Sequence, residues 1–361
     1  MQNKQIIHTK KLSQQFKGRG TNQNPANRFD KIEYVPEPSE SYEEDKRPET
    51  QYFQDTSKSI LSFNESPDIY GSASLNIYKG CEHGCAYCYA RPTHEYLSLS
   101  AGLDFETKIF VKHDAPKLLH KTLASKKWEP QVIMMSGNSD CYQPIEKKLK
   151  LTRSCLEVMN EFHNPINIVT KNKLVTRDID ILKKMAEYKT VSVFISITSL
   201  DNRLASVMEP HTTKPHWKFA ALKELSDAGI TTGVLIAPVI PGLTDPEIPE
   251  ILKHAADAGT KHASYIMLRL PHGLKDLFLN WLQEYFPERK QKIVNRLHEL
   301  FGGKLYDSTF HLRGRGKGPY AEEVKNIFKI SCRKLGINKE RLILSTSHFR
   351  NPDKKQMDLF E

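Results

Sequence analysis

Three cysteines fall within eight positions, Cys81, Cys85 and Cys88, in the stretch YKGCEHGCAYCYARPTHEYL. Thiolates are soft ligands suited to iron–sulfur clusters and to zinc. The C-x3-C-x2-C spacing lets one tight loop wrap a compact site. Three thiolates can hold three corners of a cubane 4Fe-4S cluster, which leaves the fourth iron open to a substrate or cofactor. The competing arrangement is a Cys3His zinc site completed by His83 or His94. Zinc knuckles usually place ligands in pairs on separated hairpins, whereas these thiols all follow one strand candidate and carry an aromatic, Tyr89, directly after the third. The other three cysteines are dispersed, so a second cluster is not expected; Cys155 and Cys332 sit on apolar helix faces and read as packing residues.

Something must hold that loop, and the pattern around it predicts what. From residue 73 short apolar or β-branched runs alternate with amphipathic stretches of helical length. The strand candidates are Ala73–Tyr78, Gln131–Met135, Ile166–Thr170, Val191–Ile197, Thr232–Ile236 and Ser264–Leu268. Helix candidates lie near 147–163, 175–188, 214–228, 245–258 and 273–286. Strands separated by helices imply parallel βα units, and near-continuous apolar strands imply cover on both faces. The expected fold is α/β, a (β/α)6 partial TIM-type barrel. Chemistry in such barrels collects where the strands end. Cys81, Ser136, Lys171, Thr198, Pro238 and Arg269 follow the six candidates directly, several of them unusual choices for mere connectors.

The chain of 361 residues carries 53 basic against 43 acidic side chains, and the excess is concentrated. Between Arg289 and Lys355 stand 17 Lys and Arg against 6 Asp and Glu, which points to a polyanion such as nucleic acid or to a solvated helical surface. In this segment Arg313, Arg315 and Lys317 alternate with glycines, so that side chains and amides can approach a phosphate backbone. No apolar run is long enough to span a bilayer and six cysteines are too few for a secreted disulfide framework, so no membrane association and a cytoplasmic location are expected. The expected division is a polar, partly ordered N-terminal arm over 1–65, a core domain over 66–305, a basic helical extension over 306–351 and a flexible tail over 352–361.

A strand, then C-x3-C-x2-C with an aromatic after the last cysteine, then a βα series, resembles the radical S-adenosylmethionine (SAM) superfamily. Within it, the stretch from Leu75 to about Leu305 resembles the spore photoproduct lyase-like branch, also described as DNA repair photolyase-like, and NIYKGCEHGCAYCYARPTHEYL, SDCYQPIE, IVTK and ITSLD are similar to blocks of an uncharacterised bacterial subfamily in that branch. The resemblance implies one 4Fe-4S cluster on Cys81, Cys85 and Cys88, SAM bound at the open iron, reductive cleavage of SAM to methionine and a 5′-deoxyadenosyl radical, and an electron donor of flavodoxin or ferredoxin type. It also implies residue roles. Relatives carry a Gly-Gly-Glu step for the methionyl amine where Ser136-Gly137-Asn138 stands here. Lys171 matches a lysine near the SAM carboxylate. Ser196 and Thr198 would bond ribose or carboxylate, or cap a local turn, and Ala237-Pro238 would contact adenine. Tyr87, Tyr89 and Cys141 would relay hydrogen to the product, with a packed thiol as the other role open to Cys141. DNA is the favoured substrate; RNA or protein modification, and a non-enzymatic iron–sulfur or zinc nucleic-acid-binding protein, are the rivals. At the tail, Gln356, Leu359 and Phe360 in QMDLF resemble a peptide that binds the bacterial replication sliding clamp, and equally they can pack on the protein's own barrel.

If the cysteines hold such a cluster, anaerobically prepared protein should carry about four irons per chain. Replacing Cys81, Cys85 or Cys88 by Ala should abolish both iron and SAM cleavage. One zinc with no iron-dependent cleavage would sink the cluster assignment.

Overall fold

The six apolar runs do pair side by side in chain order. The computed structural model describes residues 18–29, 49–68 and 73–353. Ten strands form two sheets: β1 (Gln51–Gln54), β2 (Leu61–Phe63), β3 (Ala73–Leu75), β4 (Tyr78–Lys79), β5 (Lys108–Val111), β6 (Ile133–Met135), β7 (Ile166–Thr170), β8 (Val191–Ser196), β9 (Thr231–Val239) and β10 (His262–Met267). The large sheet has the order β10-β9-β8-β7-β6-β3-β2. Its first six members are parallel, and β2 ends it antiparallel to β3. The small sheet, β1-β5-β4, lies outside this series.

The helices are α1 (Asp104–Thr107), α2 (Ala115–Ala124), α3 (Glu146–Leu149), α4 (Leu151–Phe162), α5 (Ile179–Glu187), α6 (Asn202–Met208), α7 (Pro215–Asp227), α8 (Ile248–Asp257), α9 (Leu274–Tyr285), α10 (Pro287–Leu300) and α11 (Pro319–Leu335). The crossover helices bury one stripe each at helical spacing. Leu156, Met159 and Phe162 of α4, Ile181, Leu182 and Met185 of α5, and Ile248, Ile251, Leu252 and Ala255 of α8 are examples. These stripes meet Ile133, Met135, Ile166, Ile168, Val191, Val193, Ile195, Val234 and Ile236, all fully or almost fully buried. Because side chains alternate along a strand, Met134, Val169, Phe194, Leu235 and Ile266 face the concave side, where they are only partly covered. The architecture is a (β/α)6 partial barrel. No helix among the described residues is long and apolar enough to cross a membrane.

Three local differences from the sequence pattern have physical reasons. The first strand run breaks in two: β3 ends at Leu75, the chain turns at Asn76, whose side chain accepts the Asn138 amide at 2.9 Å, and β4 pairs instead with β5. β1 lies in a polar segment and is exposed along its whole length, so it carries no burial signal. Leu61–Phe63 falls in the polar stretch before residue 66 yet completes the large sheet. At the other end of the chain, α11 packs on α8 and joins the main core through Tyr320, Ala321 and Val324.

Gly233 marks a tight spot on the concave face. A Cβ there would lie 2.2 Å from the Phe194 ring, which rests on the β9 backbone. Gly233→Ala should therefore destabilise the protein by about 1–3 kcal/mol through overpacking, and Phe194→Leu on the same chain should recover most of the loss, read by urea denaturation. A single variant as stable as the parent would mean that the ring can move aside.

Candidate active site

The cysteine loop leaves β4 and runs buried beneath the ends of the parallel strands; Cys81 and Cys85 are buried and Cys88 partly so. An irregular buried loop must find partners for its amides and carbonyls. Here they come from four directions. The Cys81 amide donates to the Phe105 carbonyl at 2.9 Å, and the Ala86 amide donates to the Met208 carbonyl at 2.9 Å. Gln143 accepts the Glu82 amide at 2.9 Å and donates to the Gly80 carbonyl at 3.3 Å, while the Glu82 carboxylate accepts the Ile145 amide at 2.8 Å. Asp140 stands 3.3 Å from His83 and also accepts the Thr170 hydroxyl and the Lys171 amide, tying the loop to the end of β7. Arg91, fully buried, donates from Nε to the Cys85 carbonyl at 2.9 Å and from Nη1 to the Gly102 carbonyl at 2.8 Å, and pairs through Nη2 with the buried carboxylate of Glu106.

Glu106 brings in the N-terminal segment. It accepts the Gly20 amide at 3.0 Å and the Thr21 hydroxyl at 3.2 Å. Gly20 lies so close to the cysteine loop that a Cβ would fall 1.5 Å from the Gly84 carbonyl oxygen, so only glycine fits. Residues 18–21 thus floor the loop.

A second cluster forms at the ends of β7, β8 and β9. Lys171 Nζ reaches Ser196 Oγ at 2.8 Å, the Ala237 carbonyl at 3.2 Å, Thr198 Oγ1 at 3.4 Å and the Glu209 carboxylate at 3.2 Å. The second Glu209 oxygen meets Lys218 at 3.1 Å, and Tyr87 donates to Glu209 at 2.7 Å. Burial alone would lower the Lys171 ammonium, but Glu209 overrides it and holds it above its ordinary value. Burial likewise works to raise the Glu209 carboxyl, and the ammoniums of Lys171 and Lys218 hold it down at about 2. A fixed positive charge with two hydroxyls, Ser196 and Thr198, therefore lies next to the cysteine loop, and Lys171 sits 5.4 Å from the centre of the Tyr87 ring.

The remaining expected site residues divide into two groups. Ser136, Gly137 and Asn138 form the loop after β6; the Tyr89 hydroxyl donates to the Gly137 carbonyl, and Ser136 accepts the Cys141 amide at 2.9 Å. Tyr89 is 44% exposed and lies under the Arg269 guanidinium, 4.8 Å from its ring centre. Cys141 is buried within the main core, its thiol pushed up by burial. Pro238 follows Ala237 through a cis peptide at the end of β9. By contrast Arg313 and Arg315 lie in the loop along β10, Arg313 paired with Asp68 at 2.6 Å and Arg315 4.0 Å above the Tyr265 ring, while the Lys317 amide donates to the Leu300 carbonyl at the end of α10. Gln356, Leu359 and Phe360 lie outside the described residues.

The donor set fits a cluster. It consists of three soft thiols on one buried loop; burial pushes each of them up, and Cys81 feels both Cys85 and Cys88. Among the described residues no group of three or more Cys, His, Asp or Glu side chains is placed to hold a metal ion. His83 faces Asp140 and Asn172; His94 donates from Nε2 to the Lys108 carbonyl at 2.9 Å, and its Nδ1 is buried without a hydrogen-bond partner.

The Radical SAM superfamily model matches residues 75–255, the stretch from β3 to α8. This chain belongs to the radical SAM superfamily. An uncharacterized protein of Mycobacterium tuberculosis (strain ATCC 25618 / H37Rv) is 32% identical over 230 residues, 63% of this chain and 66% of the relative, so the match spans just under two thirds of that relative's length. One of Methanocaldococcus jannaschii is 30% identical over 223 residues, 62% of this chain and 79% of the relative. Among solved structures, spore photoproduct lyase complexed with dinucleoside spore photoproduct superposes with a TM-score of 0.59 at 16% identity, over 79% of this chain and 80% of the lyase. A mutant of spore photoproduct lyase gives 0.57 at 17%, over 79% and 80%. The fold is thus that of a radical SAM partial barrel.

The candidate site includes residues that carry no signal in the sequence. Asp140 and Gln143 lie inside the SDCYQPIE block but carried no separate signal. Arg91, Glu106, Glu209 and Lys218 are single charges in ordinary-looking segments, and only burial reveals them. Because Glu209 is held down by Lys171 and Lys218, the stability it contributes is complete above about pH 4.5 and is lost as pH falls towards 2. Glu209→Gln leaves two ammoniums without their carboxylate, so it should cost about 3–5 kcal/mol at pH 7 in urea denaturation and flatten the acid limb. Parental stability at pH 7 would show that the cluster relaxes around the amide.

Proposed function

We propose that this radical SAM protein uses a 4Fe-4S cluster on Cys81, Cys85 and Cys88 to cleave SAM reductively and acts on DNA, as a repair or modification enzyme with lyase or related radical chemistry. The observation that carries the reading is the convergence of the three-cysteine loop with Lys171, Ser196, Thr198 and Ala237-Pro238 at one end of the barrel. Bound there, the cluster supplies the single electron that splits the SAM sulfonium.

The chain's own residues bind, orient and shield. Lys171, kept cationic by Glu209, offers its charge to the SAM carboxylate, and Ser196 and Thr198 offer hydroxyls to carboxylate or ribose. The Ser136-Gly137-Asn138 loop faces the same opening across Tyr89 and suits the methionyl amine. Pro238 supplies an apolar edge for adenine. Arg91, Gln143 and Asp140 keep the loop's polar groups satisfied without water, which protects a reactive radical from quenching. Tyr87, Tyr89 and Cys141 are the groups on hand to return hydrogen; Tyr89 is the exposed one, and Cys141 lies behind the Ser136 loop. DNA is supported by the basic C-terminal segment beside β10 and by the dinucleoside bound to the structurally similar lyase.

The test is anaerobic assay of iron-loaded protein with dithionite, in place of a flavodoxin- or ferredoxin-like donor, and SAM. 5′-Deoxyadenosine should form, and irradiated DNA should raise its rate more than RNA or protein does. Stimulation by RNA or by a protein alone would move the substrate to that polymer, and no SAM cleavage under any condition would leave a non-enzymatic iron–sulfur protein. Lys171→Ala should weaken SAM binding with iron content intact.

A further inference from the structure

The large sheet is open, with β2 at one edge and β10 at the other. The loop at 309–316 runs along β10, where the Met267 amide donates to the Gly314 carbonyl at 2.9 Å. The turn at 64–68 follows β2. The two segments, 243 positions apart, meet at Asp68: its carboxylate accepts the His311 amide at 2.7 Å and Arg313 Nε at 2.6 Å. Arg313 Nη2 donates to Ser66 Oγ, and the guanidinium covers the Phe310 ring at 4.7 Å. The Asp68–Arg313 ion pair therefore links the turn after the β2 edge to the loop along the β10 edge.

The donor set around Asp68 is that of an oxyanion site. The His311 N–H and the Arg313 Nε–H both donate to this one carboxylate, His311 Nδ1 stands 3.3 Å from it, and arginine recognises carboxylate and phosphate by the same charge-assisted hydrogen bonding. The surroundings extend the positive charge. Arg315 is exposed two residues further on, and a crevice of about 380 Å³ there is lined by Tyr265, Arg315, Lys325, Phe328 and Lys329, with Glu322 paired to Lys325 at 3.0 Å as its one acidic side chain. In the other direction Arg313 and Arg269 both act on the Tyr89 phenol, the residue after the third cysteine. The oxyanion site thus lies between a basic crevice and the mouth of the cysteine site.

We propose that Asp68 occupies a phosphate site, and that a backbone phosphate of the nucleic acid displaces it from His311 and Arg313, unlatching the two edges so that the strand reaches the concave face. The nucleic acid as occupant rests on the reading given under Proposed function; the latch itself rests on the contacts above. Displacement is feasible because both partners are partly solvated, with side-chain exposures of 16% for Arg313 and 20% for Asp68. Such pairs are weak, and a polyanion gains in addition from counterions released at the neighbouring basic side chains. Asp68 and a phosphate cannot share the site, since both are anionic.

The experiment measures binding of iron-loaded full-length protein to a labelled single-stranded oligodeoxynucleotide by anisotropy, and to heparin, a polyanion without bases. Asp68→Asn removes the internal competitor and should bind both about three- to fivefold tighter. Arg313→Ala should bind both more weakly and lower the salt slope by about one. Unchanged or weaker binding by Asp68→Asn at an unchanged melting temperature overturns the latch, and it leaves the DNA reading standing if the parent protein binds the oligonucleotide. Tighter heparin binding by Asp68→Asn with no oligonucleotide binding by any variant supports the displaced-anion site and removes nucleic acid as its occupant. Binding of neither polyanion by parent or variant overturns both.

Discussion

Burying an irregular loop is costly unless each of its polar groups is met, and the cysteine loop is where this protein bears that demand. A helix or strand satisfies its own backbone, whereas residues 80–90 must borrow partners from remote segments. Arg91 serves carbonyls on two turns and a carboxylate at once, Gln143 bridges the loop at two points, and Glu106 gathers donors from a segment more than 80 positions earlier. Three thiols are fixed in place as a result. The arrangement of the helices, the N-terminal segment and the loop after β6 can be read as the means of meeting this one requirement.

The charge cluster at the strand ends works by a related principle but to another purpose. Lys171 and Lys218 share Glu209, so a net positive charge is retained at the barrel mouth at moderate cost in desolvation. Lys171 makes every contact with oxygen, and its position is set by β7, β8 and β9 together. A side chain held by three strands has little freedom to reorient, which suits its proposed encounter with an incoming carboxylate without rearrangement.

Much of this was legible in the sequence, for identifiable reasons. Parallel strands covered on both faces must be continuously apolar, so Ile166–Thr170 and Val191–Ile197 could be placed to within a residue. Strand ends converge in any such barrel, so Lys171, Thr198 and Pro238 could be grouped before their contacts were known. The small sheet escaped notice because β1 is exposed and polar and β4 has two residues. Glu209 and Glu106 escaped because a carboxylate's burial depends on partners distant in the chain, and nothing near Glu209 in VMEPH or near Glu106 in LDFETK distinguishes it from a surface glutamate. Arg313 shows the converse case: its spacing with glycine was plain, but its pairing with Asp68 is a long-range fact.

The docking of Gly20 and Thr21 on Glu106 bears on where an autonomous unit can be cut from this chain. The stretch shared with the superfamily begins at residue 75. A fragment started there would keep the cysteines, β4 to β10 and Arg91, yet it would lose β1, β2 and most of β3, strip Glu106 of two of its donors and open the floor under Gly84 to solvent. Sequence similarity delimits an inherited module, and the physical module is larger, since it extends to every segment that a buried charge requires. Expression work that trusts the first boundary would be handling an incomplete object.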